Sequence, residues 1–169
     1  FRSMEKAFDL LTQVVGRSGR GDKLGRAVIQ TVIPDNPVIR FASRQDYLSF
    51  YNDEIAIRRG LIYPPFCDIC VISFTSDREN YTHSASREFL DMLKDGVRDK
   101  YASVKIIVLG PVEPKVAKIN NKYRERIIIK CRNTKKFRNM ISQCLRDFSK
   151  ISKFSRVAVS ADMNPESTF

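Results

Sequence analysis

The sequence predicts a mixed α/β (α+β) fold in which a βαββαβ unit occupies residues 67–169. Two observations lead to this prediction. Runs rich in Val, Ile and Phe are typical of strands and occur at 67–75, 104–109, 123–131 and 156–159. Apolar residues at spacings of three and four are typical of amphipathic helices and occur at 79–100 and 134–150. This order of elements defines the split βαβ, or ferredoxin-like, arrangement.

Two details of this unit follow from residue chemistry. Gly110-Pro111 is expected to end the second strand, and a basic loop is expected to run from there to about Lys122. The first two strands are apolar on both faces, whereas two helices cover only one face of a sheet. The second face is therefore expected to dock on a neighbouring domain.

A shorter segment precedes the βαββαβ unit. Helical spacing of apolar residues predicts a helix over 3–16, and the β-branched run 27–33 predicts a buried strand. Residues 34–37 predict a turn, because two prolines flank Asp and Asn. A capping pattern of Ser43 and Asp46 predicts a second helix that starts at Ser43 and reaches about Arg59.

The boundary between the two parts is expected at the Tyr63–Phe66 segment. Pro64 lacks a backbone donor and biases Tyr63 away from helix, which forces an extended connection. The predicted division is therefore 1–42, a linking helix and Pro-Pro connection at 43–66, and a C-terminal domain at 67–169.

Positive charge is concentrated in residues 111–153. That segment holds 13 Lys and Arg against 3 Asp and Glu, a net charge of +10, whereas the whole chain of 169 residues has +11. A focused positive field attracts polyanions such as nucleic acid or acidic peptide tails, and a base could stack on an interleaved aromatic ring. The candidates for binding DNA or a partner's acidic tail are Lys115, Lys118, Lys122, Tyr123, Arg124 and Arg126.

Two alternatives for the basic residues stay open. Glu125 could hold Arg126 in an ion pair instead of leaving it to a ligand. The exposed face of the second helix of the unit could be a solvated surface or a DNA contact, and its cations are Lys135, Lys136, Arg138, Arg146 and Lys150.

Other classes of site and location are disfavoured. No run of about 18 apolar residues occurs, so no membrane-spanning helix is expected. Cys67 and Cys70 fall at a predicted strand, where residues three apart point to opposite faces, so we expect no metal site and reduced thiols in a cytoplasmic protein. His83 is the only histidine, and without a second histidine or a nucleophile it indicates no catalysis.

A glycine-rich loop after the first predicted helix carries two arginines three residues apart. Arg17 and Arg20 follow Gly16 and Gly19 directly, and glycines let a backbone approach a ligand closely. Guanidinium groups are planar, permanently charged and bidentate toward phosphate oxygens, which suits charge stabilisation during phosphoryl transfer. Gln13, one turn earlier, could sense the nucleotide state or couple it to nucleic acid. The alternative is a mobile surface loop.

The string Gln13-x-x-Gly16-Arg17-x-Gly19-Arg20 resembles motif VI of superfamily 2 helicases, at the end of the second RecA-like lobe. Three further elements make the resemblance more specific: Tyr63-Pro64-Pro65-Phe66, Leu109-Gly110-Pro111 and Tyr123-Arg124. Over about residues 8–160 the chain resembles the C-terminal part of the PriA family of primosomal replication-restart helicases.

The resemblance implies an ATP-dependent 3′→5′ DNA helicase of bacteria that recognises stalled or abandoned replication forks and initiates primosome assembly. Gln13, Arg17 and Arg20 would then be the motif VI residues, with Gly16 and Gly19 beside the nucleotide, and residues 1–42 would be the tail of the second helicase lobe. ATP and Mg²⁺ are the implied cofactors. Branched and single-stranded DNA, the acidic tail of single-stranded-DNA-binding protein and other primosome proteins are the implied partners, with Lys122 and Arg126 as candidates for the tail.

The family's phosphate-binding lysine loop, Mg²⁺-binding acidic motif and zinc-binding cysteine cluster do not occur in this sequence. The chain alone is therefore not expected to hydrolyse ATP. A stand-alone basic module that binds nucleic acid or acidic tails without motor activity stays open as the alternative.

Overall fold

The computed structural model describes residues 2–17, 26–114 and 116–166. The chain divides into two compact units, Phe1–Leu61 and Ile62–Phe169. The three-part division expected from the sequence, with its helicase-lobe assignment, stays a prediction. Within the described ranges, every helix is too short or too polar to cross a membrane.

The first unit contains the helices α1 (Ser3–Arg17), α2 (Pro37–Ser43) and α3 (Tyr47–Leu61). Its small core consists of Phe8, Val38, Ala42 and Phe50. The rings of Phe8 and Phe50 stack with their centroids 4.3 Å apart. The helix predicted over 3–16 is thus confirmed.

The buried strand predicted over 27–33 is wrong. Residues 26–33 form no strand, and Val28 and Val32 are 84% and 95% exposed. β-Branched residues favour a strand only where a partner strand and a packing surface are available. Among the described residues, this unit offers helices alone as neighbours.

The helix predicted from Ser43 to Arg59 is wrong at its start, because two helices occupy this region. Pro37 is the first residue of α2 rather than part of a turn, and the Asn36 side chain caps the helix by accepting from the Val38 amide at 2.9 Å. Ser43 ends α2. The Asp46 carboxylate then accepts from the Ser49 amide at 3.1 Å and caps α3.

The second unit contains a sheet and two long helices. Its elements are β1 (Asp68–Ser76), α4 (Glu79–Arg98), β2 (Ile107–Val112), β3 (Lys118–Ile119), β4 (Lys122–Cys131), α5 (Lys135–Ser149) and β5 (Ala158–Met163). The strand order is β2-β4-β1-β5, with every neighbouring pair antiparallel, and β3 pairs with β4. Apart from the short β3, this is the predicted βαββαβ order, so the fold class is confirmed.

Alternation along β1 and β4 gives the sheet two distinct faces. The first face carries Ile72, Phe74, Ile127 and Ile129 and packs against α4 and α5 in one core. That core also includes a group of aromatic rings at edge-to-face angles: Phe74, Phe89 and Phe148. The second face carries the intervening residues.

On the second face Ile69, Val71 and Ile128 are buried, whereas Ile107 and Leu109 are 44% and 37% exposed. The expected docking of a neighbouring domain on this face stays a prediction.

The prediction that Gly110-Pro111 ends the second strand is wrong, because β2 continues to Val112. Its register against β4 shifts between Leu109 and Val112. Gly110 adopts φ of 102°, and a Cβ atom there would lie 2.9 Å from the Arg126 carbonyl oxygen. Glycine is required because the backbone of β4 passes too close for a side chain.

The basic loop expected before Lys122 is instead a hairpin. β3 pairs with β4, with Ile119 opposite Lys122, and only Asn120 and Asn121 connect them. Their φ values are 50° and 60°, as two-residue hairpin turns require, and asparagine tolerates this conformation. The last strand was predicted at 156–159, whereas β5 begins at Ala158 and ends at Met163.

Candidate nucleic-acid interface

The hairpin holds the basic end of β4 in a fixed register. Lys118 lies opposite Tyr123, and Ile119 lies opposite Lys122. The Arg124 amide also donates to the Ala117 carbonyl at 2.9 Å, just before β3. These bonds fix which side of the sheet each basic side chain occupies.

The structure distributes the candidate residues over both faces of the sheet. Because alternate residues of a strand point to opposite faces, Lys122, Arg124 and Arg126 lie on the second face. Tyr123 lies on the first face together with Lys118, whose Nζ is 4.8 Å from the centroid of the tyrosine ring. Lys115 lies outside the described residues.

Glu125 belongs to the first face and is held by α4. It is buried, its Oε2 accepts a hydrogen bond from the Ser86 hydroxyl, and its Oε1 lies 2.8 Å from His83 Nδ1. Arg87 Nε donates to His83 Nε2 at 2.8 Å, so Nε2 is the accepting ring nitrogen and Nδ1 is the one that donates to Glu125. The alternative in which Glu125 pairs with Arg126 is therefore wrong: the two side chains are on opposite faces.

A cavity of about 730 Å³ borders Tyr123 on the first face. Its lining includes one arginine, Arg78, and four carboxylates: Asp77, Glu79, Glu113 and Glu125. This concentration of negative charge opposes the entry of phosphate groups. The first face is thus the less favourable side of the hairpin for a nucleic-acid backbone.

The second face presents cations without acidic neighbours. Among the described residues, no carboxylate lies within ion-pair distance of Lys122, Arg124 or Arg126. Arg126 is half-buried, and its Nε is inaccessible to solvent with no hydrogen-bond partner in the described part of the chain. Burial, followed by the positive charge of Arg124, lowers the pKa of the Arg126 guanidinium.

Hydroxyl groups accompany these arginines. Ser73 of β1 is the register partner of Arg126, and Thr75 is the partner of Arg124. On the other side of β1, Ser160 of β5 is the partner of Ser73. Serine and threonine hydroxyls are frequent donors to phosphate oxygens.

Lys130 is a feature that the sequence interpretation missed. It continues the second-face row of β4, is only 8% exposed, and its Nζ lies 3.8 Å from the centroid of the Tyr63 ring. A signal was available, because a lysine inside the apolar run 127–131 must bury most of its length. The Tyr63–Phe66 segment is thereby connected to the second face.

The cations of α5 are largely engaged in local bonds. Lys136 Nζ lies 2.5 Å from Ser103 Oγ, and Arg138 donates to the Asn133 side chain at 2.8 Å. Arg146 and Lys150 bond residues on the same helix, Gln143 and Asp147. These contacts favour a solvated surface over a DNA contact for this stripe.

The motif VI candidates lie partly outside the described residues. Gln13 and Arg17 are exposed on the last turns of α1, four residues apart and hence on one side of the helix. A Cβ atom at Gly16 would meet nothing within 4 Å, so there is open space beside it. Gly19 and Arg20 are outside the described ranges.

The four cysteines are free and buried. Burial raises the pKa of the Cys70 thiol, and that of Cys131, to about 12. Within the described ranges, no cluster of three or more His, Cys, Asp and Glu side chains could hold a metal ion.

The fold and its charges define a basic α+β module of the split βαβ type. Residues 59–166 match the family model described as the primosomal protein N C-terminal domain, and the chain belongs to this family.

Curated relatives agree with this assignment. The replication restart protein PriA of Bacillus subtilis (strain 168) is 33% identical over 98% of this chain and 20% of its own length. Proteins of the same name are 31% identical in Chlamydia trachomatis, over 100% of this chain and 21% of the relative, and in Thermotoga maritima, over 86% and 18%. The chain spans about a fifth of the length of these relatives.

Among solved structures, the de novo designed protein Foldit4 aligns with a TM-score of 0.41 at 15% identity, over 60% of this chain and 99% of the design. This likeness is too weak to support an argument about the fold.

Proposed function

We propose that this chain is the C-terminal part of a longer replication-restart protein and that its second unit is a DNA-contact domain. The observation that carries the proposal is the hairpin of β3 and β4, which presents Lys122, Arg124 and Arg126 with no acidic partner among the described residues. Membership of the primosomal protein N family supports the biological setting. Replication restart acts on the bacterial chromosome, so the proposal implies a cytoplasmic location.

The proposed substrates are branched and single-stranded DNA. Lysine and arginine side chains neutralise phosphates and release counterions, which gives affinity without sequence specificity. The net charge of +10 over residues 111–153 supports this role. By the same proposal, other primosome proteins and the acidic tail of single-stranded-DNA-binding protein are partners of the whole protein, with Lys122 and Arg126 as candidates for the tail.

The motor part of the proposal concerns residues 13–20. Arg17 and Arg20 would stabilise the negative charge that develops on a transferring phosphoryl group, and Gln13 would couple the nucleotide to DNA. Exposure of Gln13 and Arg17 supports this, since both are available to another segment of a longer protein. ATP and Mg²⁺ would be held mainly by parts of that protein outside this chain, as would zinc.

The DNA part is tested by fluorescence anisotropy with the chain and a labelled oligothymidylate or fork DNA. We expect binding at low salt, with the logarithm of the affinity falling linearly with the logarithm of the salt concentration. No binding at low salt would contradict the proposal.

The motor part is tested in the longer protein with Arg20→Ala. We expect DNA-stimulated ATP hydrolysis to be lost while DNA binding is nearly unchanged. Wild-type turnover in this variant would rule out the motif VI role and would favour the alternative, a DNA-binding module without motor activity.

A further inference from the structure

Arg124 and Arg126 form an isolated pair of guanidinium groups on the second face of the sheet. They are two residues apart on β4, which places their Cα atoms about 7 Å apart along the strand. Glu125, the acid between them in sequence, is removed from this surface by its bonds to His83 and Ser86. The pair therefore has no local counter-ion on its own strand.

Arg126 has a donor that nothing in the described part of the chain satisfies. Its Nε is buried without a hydrogen-bond partner. Buried donors in folded proteins are nearly always paired, so this unpaired donor is an exception that needs an explanation. Burial and the charge of Arg124 also lower the pKa of this guanidinium, so an anion placed between the two arginines would relieve an unfavourable arrangement.

The surroundings supply further groups suited to phosphate. Thr75 and Ser73 face Arg124 and Arg126 across the β1–β4 ladder, and Lys122 extends the row of cations by one more strand repeat. The acid of β5 on this face is Asp162. Its register partner on β1 is Val71, so it lies beside the buried apolar residues of the face rather than beside Arg124. Even spacing of cations along an extended strand matches a single-stranded backbone, whose phosphates also follow one another in a line.

We propose that Arg124 and Arg126 bind successive phosphodiester groups of a single DNA strand that lies along the second face of β4. The excess of carboxylates in the cavity beside Tyr123 makes the first face less favourable for the same backbone. This inference rests on the proposed DNA-binding function and assigns it to one side of the sheet.

The test compares single substitutions that each remove one charge from the same hairpin region. Arg124→Gln and Arg126→Gln change the second face, whereas Lys118→Gln changes the first face and serves as the matched control. Binding of a labelled oligothymidylate to the chain is measured as a function of salt. Each arginine variant is expected to lower the magnitude of the salt slope by about 0.7, the value for one phosphate contact on a single strand, and Lys118→Gln is expected to leave it unchanged.

Equal effects of Lys118→Gln and Arg126→Gln, or wild-type slopes in both arginine variants, would overturn the assignment while leaving DNA binding itself intact. Failure of the wild-type chain to bind would remove the proposed function as well. Binding of an acidic peptide that depends on Arg124 and Arg126, together with oligonucleotide binding that does not depend on them, would assign the pair to a protein partner and would also overturn the inference.

Two further measurements separate ligand binding from a structural role. Arg126→Gln is expected to keep the melting temperature of the wild type, because its Nε makes no hydrogen bond in the described structure. Arg126→Lys is expected to keep most of the salt slope but to bind several times more weakly, because an ammonium group lacks the bidentate geometry. A large loss of melting temperature in Arg126→Gln would contradict the inference.

Discussion

The Nδ1 atom of His83 on α4 lies 2.8 Å from Oε1 of Glu125 on β4, so the one acid of the basic strand is held on the first face of the sheet. Ser86 holds the second oxygen of the same carboxylate. With Glu125 fixed against α4, its two neighbours in sequence, Arg124 and Arg126, must point to the opposite side. Alternation along the strand thus separates the two arginines from the carboxylate that lies between them in sequence.

Glu125→Ala is expected to lower the free energy of unfolding by about 2–3 kcal/mol, because the buried Ser86 hydroxyl and the His83 N–H lose their acceptor. Urea unfolding of the chain measures this loss. Glu113→Ala is the control, because Glu113 is an exposed carboxylate that lines the same 730 Å³ cavity as Glu125 does. It should change the free energy of unfolding by less than about 0.5 kcal/mol. A loss in Glu125→Ala as small as that in Glu113→Ala would mean that the contacts of Glu125 contribute no stability.

Gly110→Ala is expected to destabilise the chain by more than about 1 kcal/mol, since alanine is strained at positive φ and its Cβ would clash with the backbone of Arg126. Gly60→Ala is the control. Its Cβ would meet nothing within 4 Å, and alanine is the better helix former, so stability should be unchanged or raised by up to about 1 kcal/mol. Thermal unfolding of both variants checks the contrast, and a neutral Gly110→Ala would contradict the close approach.

Asn121→Val is expected to weaken DNA binding severalfold, because a β-branched residue at φ of 60° disrupts the two-residue turn and frays the hairpin that orients Lys122. Asn121→Gly keeps the same net charge and accepts this conformation, so it should bind as the wild type does. Anisotropy with a labelled oligothymidylate measures both variants. Equal affinity in all three proteins would show that the turn is irrelevant to binding.

The buried thiols predict a loss of stability at alkaline pH. Burial raises the pKa of Cys70 and of Cys131 to about 12, whereas the same thiols in the unfolded chain titrate near the ordinary value of about 8.5. The folded state therefore holds its protons more tightly, and this stability is present in full below about pH 8.5 and is lost as the pH rises toward 12.

Urea midpoints between about pH 8 and pH 10.5 measure this loss, and Cys70→Ala should show a shallower decline than the wild type does. In the same way, iodoacetamide should leave both thiols unmodified at pH 7 until the chain unfolds. Rapid alkylation of the native chain would contradict their burial.

The elements that the sequence predicted well are those in which several local signals agree. In α5 the spacing of Phe137, Met140, Ile141 and Cys144 coincides with a cap at Thr134, whose hydroxyl accepts from the Phe137 amide at 3.1 Å. The β1 and β4 strands combine β-branched composition with suitable length. The βαββαβ order followed from these segments.

The failures occurred where tertiary context decides. The run 27–33 has strand composition but lies against no strand in the described residues of its unit. At Asn36 and Asp46 the caps were present in the sequence, yet the apolar pattern was continuous enough to suggest one helix from Ser43. The division of the basic residues between two faces follows from a period of two, but it requires the exact limits of β4, which only the hairpin turn fixes.

The central claim is that the second unit contacts DNA through the hairpin and the second face of its sheet. The most direct test measures the amide chemical shifts of the chain during titration with an oligothymidylate. The account predicts that the largest changes occur at residues 122–126 and at Ser73 and Thr75 opposite them. Changes confined to the exposed side of α5, or no changes at low salt, would contradict it.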